Sequence, residues 1–224
     1  MNKKKLTLLA IGLALIVILS GGASFFMLSG SKDNSSNKIR VACVGDSITG
    51  GTYYPDDLWM LLGSNYTVDN FGVGGTAASL DSISPYMHQI EFQRAKQFQP
   101  NIVIIMLGTN DANAIITPNN ASFVSSYVQL VEEFQALSSQ PKIWLVKPPP
   151  VFSNGTTPSA ELLETAIIPG VDQVAQQTHT PVIDVHSALS NFSEFFPDGV
   201  HPDPDGSQLI ANEIYRVISQ QNSS

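Results

Sequence analysis

Cysteine is almost absent from this 224-residue sequence, in which Cys43 is the only one. A single cysteine excludes an intrachain disulfide, and the redox compartment therefore cannot be read from cysteine pairs. Cys43 lies inside the apolar run IRVACVG, where we expect it to act as a small buried hydrophobic side chain. With 43% hydrophobic and only 13% charged residues, the chain has enough apolar material for one well-filled domain.

Basic residues are scarce after the first forty positions. From Val41 onward the chain carries five Lys and Arg against eighteen Asp and Glu, a net charge of −13. A surface of that sign repels a phosphate backbone, which argues against nucleic acid as a partner.

Charge is missing altogether between Leu6 and Leu28, directly after the basic start MNKKK. As a helix this run would span ~34 Å, enough to cross a bilayer core of ~30 Å. Residues 1–28 are therefore predicted to be a membrane anchor or a cleaved signal peptide, and both alternatives place the rest of the chain outside the cytoplasm. The Ser-rich stretch 29–37 is predicted to be a polar linker, and 38–220 the folded domain.

Short apolar runs alternate with helical patterns along the predicted domain. The continuous hydrophobicity of the runs is typical of strands that are buried on both faces. The predicted strands are 38–45, 66–72, 101–108, 142–149 and 181–185, and the predicted helices are 55–63, 86–98, 121–137, 160–177 and a last helix that begins at Pro204 with Asp203 as its cap. This alternation predicts an α/β fold, a three-layer α/β/α sandwich around a five-stranded parallel sheet.

Reactive groups of such a sheet belong on the loops at the carboxyl ends of its strands. Ser47 follows the first strand, in VACVGDSITGG, at the predicted start of a helix. NFGVGGT follows the second strand, where the amide of Gly75 could point into a cleft. LGTND follows the third strand, where the carboxamide of Asn110 could donate to an oxyanion.

The segment FPDGVHPDPDG near the end of the domain holds Asp198 and His201 three residues apart. That spacing allows the carboxylate to orient the imidazole, so that the other ring nitrogen can take a proton from a hydroxyl. His186 after IDV is the alternative base. Asp203 and Asp205 could suggest a cation site, but helix capping explains them, and no metal or cofactor is expected.

Together the segments GDSIT, NFGVGG, GTND and DGVHP resemble the four sequence blocks of the SGNH (GDSL-type) hydrolases, in order and across residues 38–220. The resemblance implies a flavodoxin-like topology and Ser47 as the nucleophile. It also implies an oxyanion hole made of the Ser47 and Gly75 amides and the Asn110 side chain. His201 would be the base and Asp198 its partner.

Two further stretches, KPPPVFSNGTT and IDVHSAL, are similar to carbohydrate O-acetylesterases such as sialate or acetylxylan esterases. This resemblance implies a serine esterase that removes short acyl groups, acetyl above all, from a sugar or polysaccharide. The alternatives are a lipase- or thioesterase-type hydrolase of other acyl esters and a non-catalytic glycan-binding surface protein with the same fold. Residues expected to wall the cleft are Tyr53, Tyr54, Pro148–Pro150 and Phe152.

Overall fold

Five parallel β-strands run through the centre of the molecule in the spatial order β2-β1-β3-β4-β5. The computed structural model describes residues 38–117, 121–152 and 158–220. The strands are β1 (Ile39–Gly45), β2 (Tyr66–Gly72), β3 (Ile102–Met106), β4 (Lys142–Val146) and β5 (Val182–Ile183). Their order is that of a flavodoxin-like sheet, and the predicted fold class is confirmed.

The helices are α1 (Ser47–Gly50), α2 (Tyr54–Leu62), α3 (Ile90–Gln97), α4 (Phe123–Gln135), α5 (Ala160–Leu162), α6 (Ile168–Thr178), α7 (Val185–Leu189) and α8 (Pro204–Gln220). A π-helical segment, Leu163–Ile167, joins α5 to α6, and 3₁₀ turns lie at Tyr86–His88 and Ser193–Phe195. Pro169 lies two residues after the end of the π-helical segment. Because it has no amide hydrogen to donate, the regular α ladder cannot run through this point.

Successive side chains of the central strands pack into two different cores. Val44 and Ile105 face a layer that contains α3, α4 and α6. Cys43 and Ile104 face the opposite layer, which contains α2, α7 and α8. Both faces of the sheet are therefore buried, which explains why the strands read as continuous apolar runs. Cys43 is fully buried as expected, and burial raises the pKa of its thiol to about 12.

The last helix begins as its sequence predicts. Asp203 accepts a hydrogen bond from the Gly206 amide at 2.9 Å, and Pro204 occupies the first helical position. The buried residues of α8 recur with helical spacing and pack against the α2 side of the sheet; they include Ile210, Ala211, Ile214 and Ile218. A polar cap and an apolar stripe together fix where this helix starts and which face it buries.

Two of the differences between the predicted and the observed elements have a clear local cause. The fifth strand is only two residues long because Asp184 accepts the Ser187 amide and starts α7, so that His186 is helical. The predicted helix 86–98 is divided at Gln89, whose extended backbone separates the 3₁₀ turn from α3. Both differences arise from local capping and backbone conformation, which the hydrophobic pattern does not report.

No helix within residues 38–117, 121–152 and 158–220 is both long and apolar enough to cross a bilayer. The predicted anchor or signal, 1–28, and the predicted linker, 29–37, lie outside the described residues.

Candidate active site

Ser47 occupies the first position of α1, two residues after β1 ends. The last residue of β1 is Gly45, and its lack of a side chain lets the backbone pass directly against Thr49 and the end of β3. A Cβ atom at Gly45 would lie 2.0 Å from Thr49 Oγ1 and 2.6 Å from the Met106 carbonyl oxygen. Only glycine fits at this position, and the turn presents Ser47 at the carboxyl end of the sheet.

Ser47 and His201, 154 residues apart in sequence, are joined by a hydrogen bond. Ser47 Oγ lies 2.8 Å from His201 Nε2, and His201 Nδ1 lies 2.7 Å from Asp198 Oδ2. Because a carboxylate accepts hydrogen bonds, Nδ1 of His201 carries the ring proton. Nε2 can then accept a hydrogen bond from the Ser47 hydroxyl. The three side chains form the relay that the sequence predicts.

Asp198 holds the backbone of this loop as well as the imidazole ring. Its Oδ1 accepts from the amides of His201 at 2.7 Å and Val200 at 2.9 Å, and Gly199 supplies the positive φ of 79°. Partial burial would raise the pKa of Asp198, but the hydrogen bonds from His201 and Val200 lower it to about 2. The carboxylate is therefore ionised throughout the range in which an imidazole titrates.

Two predicted hydrogen-bond donors lie on neighbouring loops. Gly75 has a φ of 77°, and its amide has no acceptor among the described residues. Asn110 donates one amide hydrogen to the Thr76 carbonyl at 2.9 Å, which leaves its second amide hydrogen for a ligand. The hydrogen bond to Thr76 also fixes the carboxamide against the loop that carries Gly75.

Asp111 joins the same two loops through its side-chain hydrogen bonds. It is fully buried and accepts from the Ala78 amide, the Ser79 amide and the Ser79 hydroxyl at 2.9, 2.9 and 2.6 Å. Burial raises its pKa, although the hydrogen bonds from Ser79 and Ala78 oppose the shift. Asp111 thus holds the glycine loop against the third strand and takes no part in the hydrogen bonds of the Ser47–His201 pair.

One cleft of about 490 Å³ contains all five residues that the sequence singles out. Its lining is Ser47, Gly75, Thr109, Asn110, Asn113, Pro158, Asp198, Val200 and His201. Sequence reasoning missed Thr109, Asn113, Pro158 and Val200. Thr109 and Val200 lie inside the GTND and DGVHP motifs, which could have indicated them, whereas no local signal marks the other two.

The prediction that aromatic and proline residues wall the cleft is wrong. Tyr54 is fully buried and hydrogen bonds to Thr49 at 3.0 Å, so it belongs to the core. Tyr53 borders a separate groove at the start of α2 and α8. The buried Pro148–Pro150 segment and Phe152, which packs on Phe196, do not line the cleft either.

His186, the alternative base, is engaged elsewhere. It is buried, with Nδ1 3.0 Å from the Pro148 carbonyl oxygen and Nε2 2.8 Å from Glu164 Oε1. Both ring nitrogens have partners, and neither is Ser47. His201 is therefore the histidine that the structure brings to the serine.

Groups of three or more His, Cys, Asp or Glu side chains that could bind a metal ion are not found in the described parts of the chain. Asp203 caps α8, and Asp205 lies in the first turn of the same helix. The expectation that catalysis needs no metal remains a prediction.

Comparison with known proteins gives consistent matches. Residues 43–209 match the model of the GDSL-like lipase/acylhydrolase family. An acetylxylan esterase of Xylanibacter ruminicola is 31% identical over 210 residues, which cover 80% of this chain but only 43% of that esterase. The chain thus spans less than half the length of this relative.

Solved structures share the fold at lower sequence identity. A carbohydrate esterase family 3 protein from Talaromyces cellulolyticus has a TM-score of 0.62 and 24% identity, covering 82% of this chain and 97% of its own. The acetylxylan esterase Axe2 from Geobacillus stearothermophilus has a TM-score of 0.62 and 21% identity, and the match covers 80% of this chain and 94% of that esterase. At these identities the likeness concerns the fold alone.

Proposed function

Because the chain belongs to the GDSL-like lipase/acylhydrolase family of carboxylic ester hydrolases, we propose that it removes short acyl groups, acetyl above all, from carbohydrate hydroxyls. The reaction would pass through an acyl-serine intermediate on Ser47. The observation that carries this proposal is the hydrogen-bonded relay from Ser47 Oγ through His201 to Asp198.

The first half of the reaction acylates the serine. His201 Nε2 accepts the hydroxyl proton as Ser47 Oγ attacks the acyl carbonyl carbon. Asp198, ionised and bonded to Nδ1, stabilises the imidazolium that forms. His201 then returns the proton to the leaving alcohol oxygen as the ester C–O bond breaks, and the acyl group stays on Ser47.

The second half releases the acid. A water molecule gives a proton to His201 Nε2 and attacks the acyl-serine, and the proton returns to Ser47 Oγ as the product carboxylic acid leaves. In both halves the negative charge on the former carbonyl oxygen is met by the amides of Ser47 and Gly75 and by the Asn110 side chain. Donors aimed at developing charge are the largest single contribution to this kind of catalysis.

The cleft supports a short acyl group on a polar alcohol. Six of its nine described lining residues carry polar side chains, and Pro158 and Val200 are its aliphatic residues. Sugar hydroxyls would meet polar groups such as Thr109 and Asn113, whereas a long fatty chain would find aliphatic side chains mainly at Pro158 and Val200. The acetylxylan esterases and the carbohydrate esterase among the similar proteins point to the same class of substrate.

The mechanism is tested by replacing the nucleophile. Ser47→Ala is expected to abolish hydrolysis of p-nitrophenyl acetate, because the hydroxyl that His201 would deprotonate is removed. Ser125→Ala, an exposed serine on α4, is the matched control and should keep wild-type turnover. Wild-type turnover in Ser47→Ala would overturn the proposed mechanism.

A fluorophosphonate probe separates the enzyme from a non-catalytic glycan binder of the same fold. Covalent labelling at Ser47, read by peptide mass spectrometry, supports the esterase. Binding of glycans by a protein that the probe does not label would favour the binder. Initial rates on acetylated xylan and on acetylated sialic acid then identify the carbohydrate.

We also propose that the domain works outside the cytoplasm, anchored to a membrane or secreted after cleavage. The proposal rests on the uncharged run from Leu6 to Leu28 and the lysines that precede it. Fractionation of cells that express the full chain, with antibody against the domain, tests it; recovery in the cytoplasmic fraction alone would contradict it.

A further inference from the structure

Helix α1, which carries Ser47, is only four residues long. A helix of that length is not stable by itself, because nucleation fixes several backbone angles for a single hydrogen bond. Its position must therefore be set by groups outside it. Three side chains outside the helix bond to its backbone: Asp46 at the first end, Asn70 at the other, and Thr52, whose hydroxyl donates to the Ile48 carbonyl at 2.6 Å.

Asp46 holds the amino-terminal end. It is 1% exposed, and its Oδ1 accepts from the Ile48 amide at 2.9 Å. Its Oδ2 is buried and has no hydrogen-bond partner within the described residues. Burial raises the pKa of Asp46 to about 7, although the hydrogen bond from Ile48 opposes the shift.

The titratable groups that interact with Asp46 come from four parts of the fold: Asp111 after β3, His201 before α8, Tyr54 on α2 and Tyr127 on α4. A buried carboxyl group with one unpartnered oxygen lowers the stability of the folded chain. The hydrogen bond from the Ile48 amide joins this carboxyl to the helix that carries Ser47.

Asn70 holds the carboxyl-terminal end. Its Nδ2 donates to the Thr49 carbonyl at 2.8 Å, and its Oδ1 accepts from the Gly72 amide at 2.9 Å. The backbones of α1 and β2 touch at this point, since a Cβ atom on Gly72 would lie 2.2 Å from the Gly50 nitrogen. Asn70 thus joins the end of α1 to the end of β2, although the residue itself is exposed and adds little to the core.

We infer that Asp46 and Asn70 are positioning residues that fix the two ends of α1 and so hold Ser47 Oγ within hydrogen-bond distance of His201 Nε2. Neither lines the cleft, so both act through Ser47. The inference rests on the proposed role of Ser47 as the nucleophile. A small displacement of a reacting group is enough to slow a reaction markedly, by up to about 100-fold.

Asn70→Asp tests the carboxyl-terminal attachment. Aspartate keeps an acceptor for the Gly72 amide but loses the donor to the Thr49 carbonyl, so one of the two bonds is removed selectively. We expect kcat for p-nitrophenyl acetate to fall about 10- to 100-fold with KM within about twofold, and labelling by a fluorophosphonate to slow in parallel. Asn212→Asp, an exposed position on α8, makes the same change of charge and should leave both rates unchanged.

Asp46→Ala and Asp46→Asn test the amino-terminal attachment. Alanine removes the acceptor for the Ile48 amide and should lower kcat about tenfold or more. Asparagine keeps a side-chain oxygen at the same position and should restore kcat to within about threefold of wild type at pH 8. Rescue by the conservative variant is the result that general destabilisation would not give.

Unchanged kcat in both Asp46→Ala and Asn70→Asp would overturn the inference, as would a raised KM at constant kcat, which would indicate contact with substrate. If Asp46→Ala does not fold, as judged by near-UV circular dichroism, Asn70→Asp decides the question alone. The Ser47→Ala variant separates the two proposals. Turnover by Ser47→Ala overturns the proposed function and this inference together, whereas an inactive Ser47→Ala with unaffected Asp46→Ala and Asn70→Asp overturns the inference only.

Discussion

At the scale of single residues, the two carboxyl groups near the Ser47–His201 pair have opposite environments. Asp198 is exposed and accepts hydrogen bonds from His201 and Val200, which lower its pKa to about 2 despite partial burial. Burial raises the pKa of Asp46 to about 7. Asp198 is therefore a permanent anion at neutral pH, whereas Asp46 changes its charge there.

The raised pKa of Asp46 predicts a loss of stability as pH rises. Between about pH 4 and pH 7 this carboxyl is protonated in the folded chain and ionised in the unfolded chain, so unfolding releases a proton. Its contribution is fully present below about pH 4 and is lost as pH rises through about 7. We expect the urea midpoint to fall more steeply over this window in the wild type than in Asp46→Asn.

Comparing the urea midpoints of the wild type and Asp46→Asn isolates the effect of Asp46, because the other carboxyl groups are the same in both proteins. Asp198, whose pKa is lowered, contributes with the opposite sign and only below the window, as pH falls towards about 2. Asp111, whose pKa burial also raises, is present in both proteins. Parallel pH profiles of the two urea midpoints would show that Asp46 is ionised at its usual pKa.

Asn110 is predicted to contribute to the rate and little to binding. Asn110→Ala removes one of the three donors proposed for the oxyanion, and the loss of such a donor typically slows a reaction ~100- to 1000-fold in kcat. Steady-state kinetics with p-nitrophenyl acetate should show a weak but measurable enzyme with a KM close to that of the wild type. Asn212→Ala is the matched control; a variant of Asn110 with normal kcat would remove this residue from the proposed oxyanion hole.

At the scale of elements, short attachments decide where the reactive groups lie. The loop before α8 carries Asp198 and His201, and it is tied to the rest of the fold by the Asp203 amide, which donates to the Phe195 carbonyl, and by the Phe152 amide, which donates to Gly199. Asp203 also caps α8 with its side chain. The base is thus held by the start of a long, well-packed helix.

The cap of α8 gives a prediction on stability. Asp203→Ala leaves the Gly206 amide without its side-chain acceptor and should lower the free energy of unfolding by about 1 kcal/mol. Asp203→Asn keeps an acceptor and should be close to wild type. Urea unfolding followed by circular dichroism measures both, and equal losses in the two variants would mean that charge, and not the cap, is what counts.

At the scale of the whole molecule, the sheet brings together residues that are distant in sequence. In the order β2-β1-β3-β4-β5 the strands that precede Ser47, Gly75 and Asn110 are neighbours, and all three end at the same edge. The loop with His201 comes from the far end of the domain to complete the cleft. One continuous cleft results, and most of its described lining residues have polar side chains.

The size and polarity of that cleft predict the acyl specificity. The value of kcat/KM for p-nitrophenyl esters should fall at least about tenfold from acetate to octanoate, because the described lining offers a longer chain two aliphatic side chains, Pro158 and Val200. Initial rates across the series at matched concentrations test this. A rate that rises with chain length would favour the lipase-type alternative.

The sequence alone determined the parallel sheet, the two-sided burial of its strands and five of the nine described residues that line the cleft. Hydrophobic periodicity and local motifs carry that information, because strand, turn and cap preferences depend on near neighbours. Tertiary structure alone decided that Tyr54 belongs to the core, that Pro158 lines the cleft and that Asn70 holds the helix of Ser47. Those contacts join segments far apart in the chain, and no local pattern encodes which distant side chains will meet.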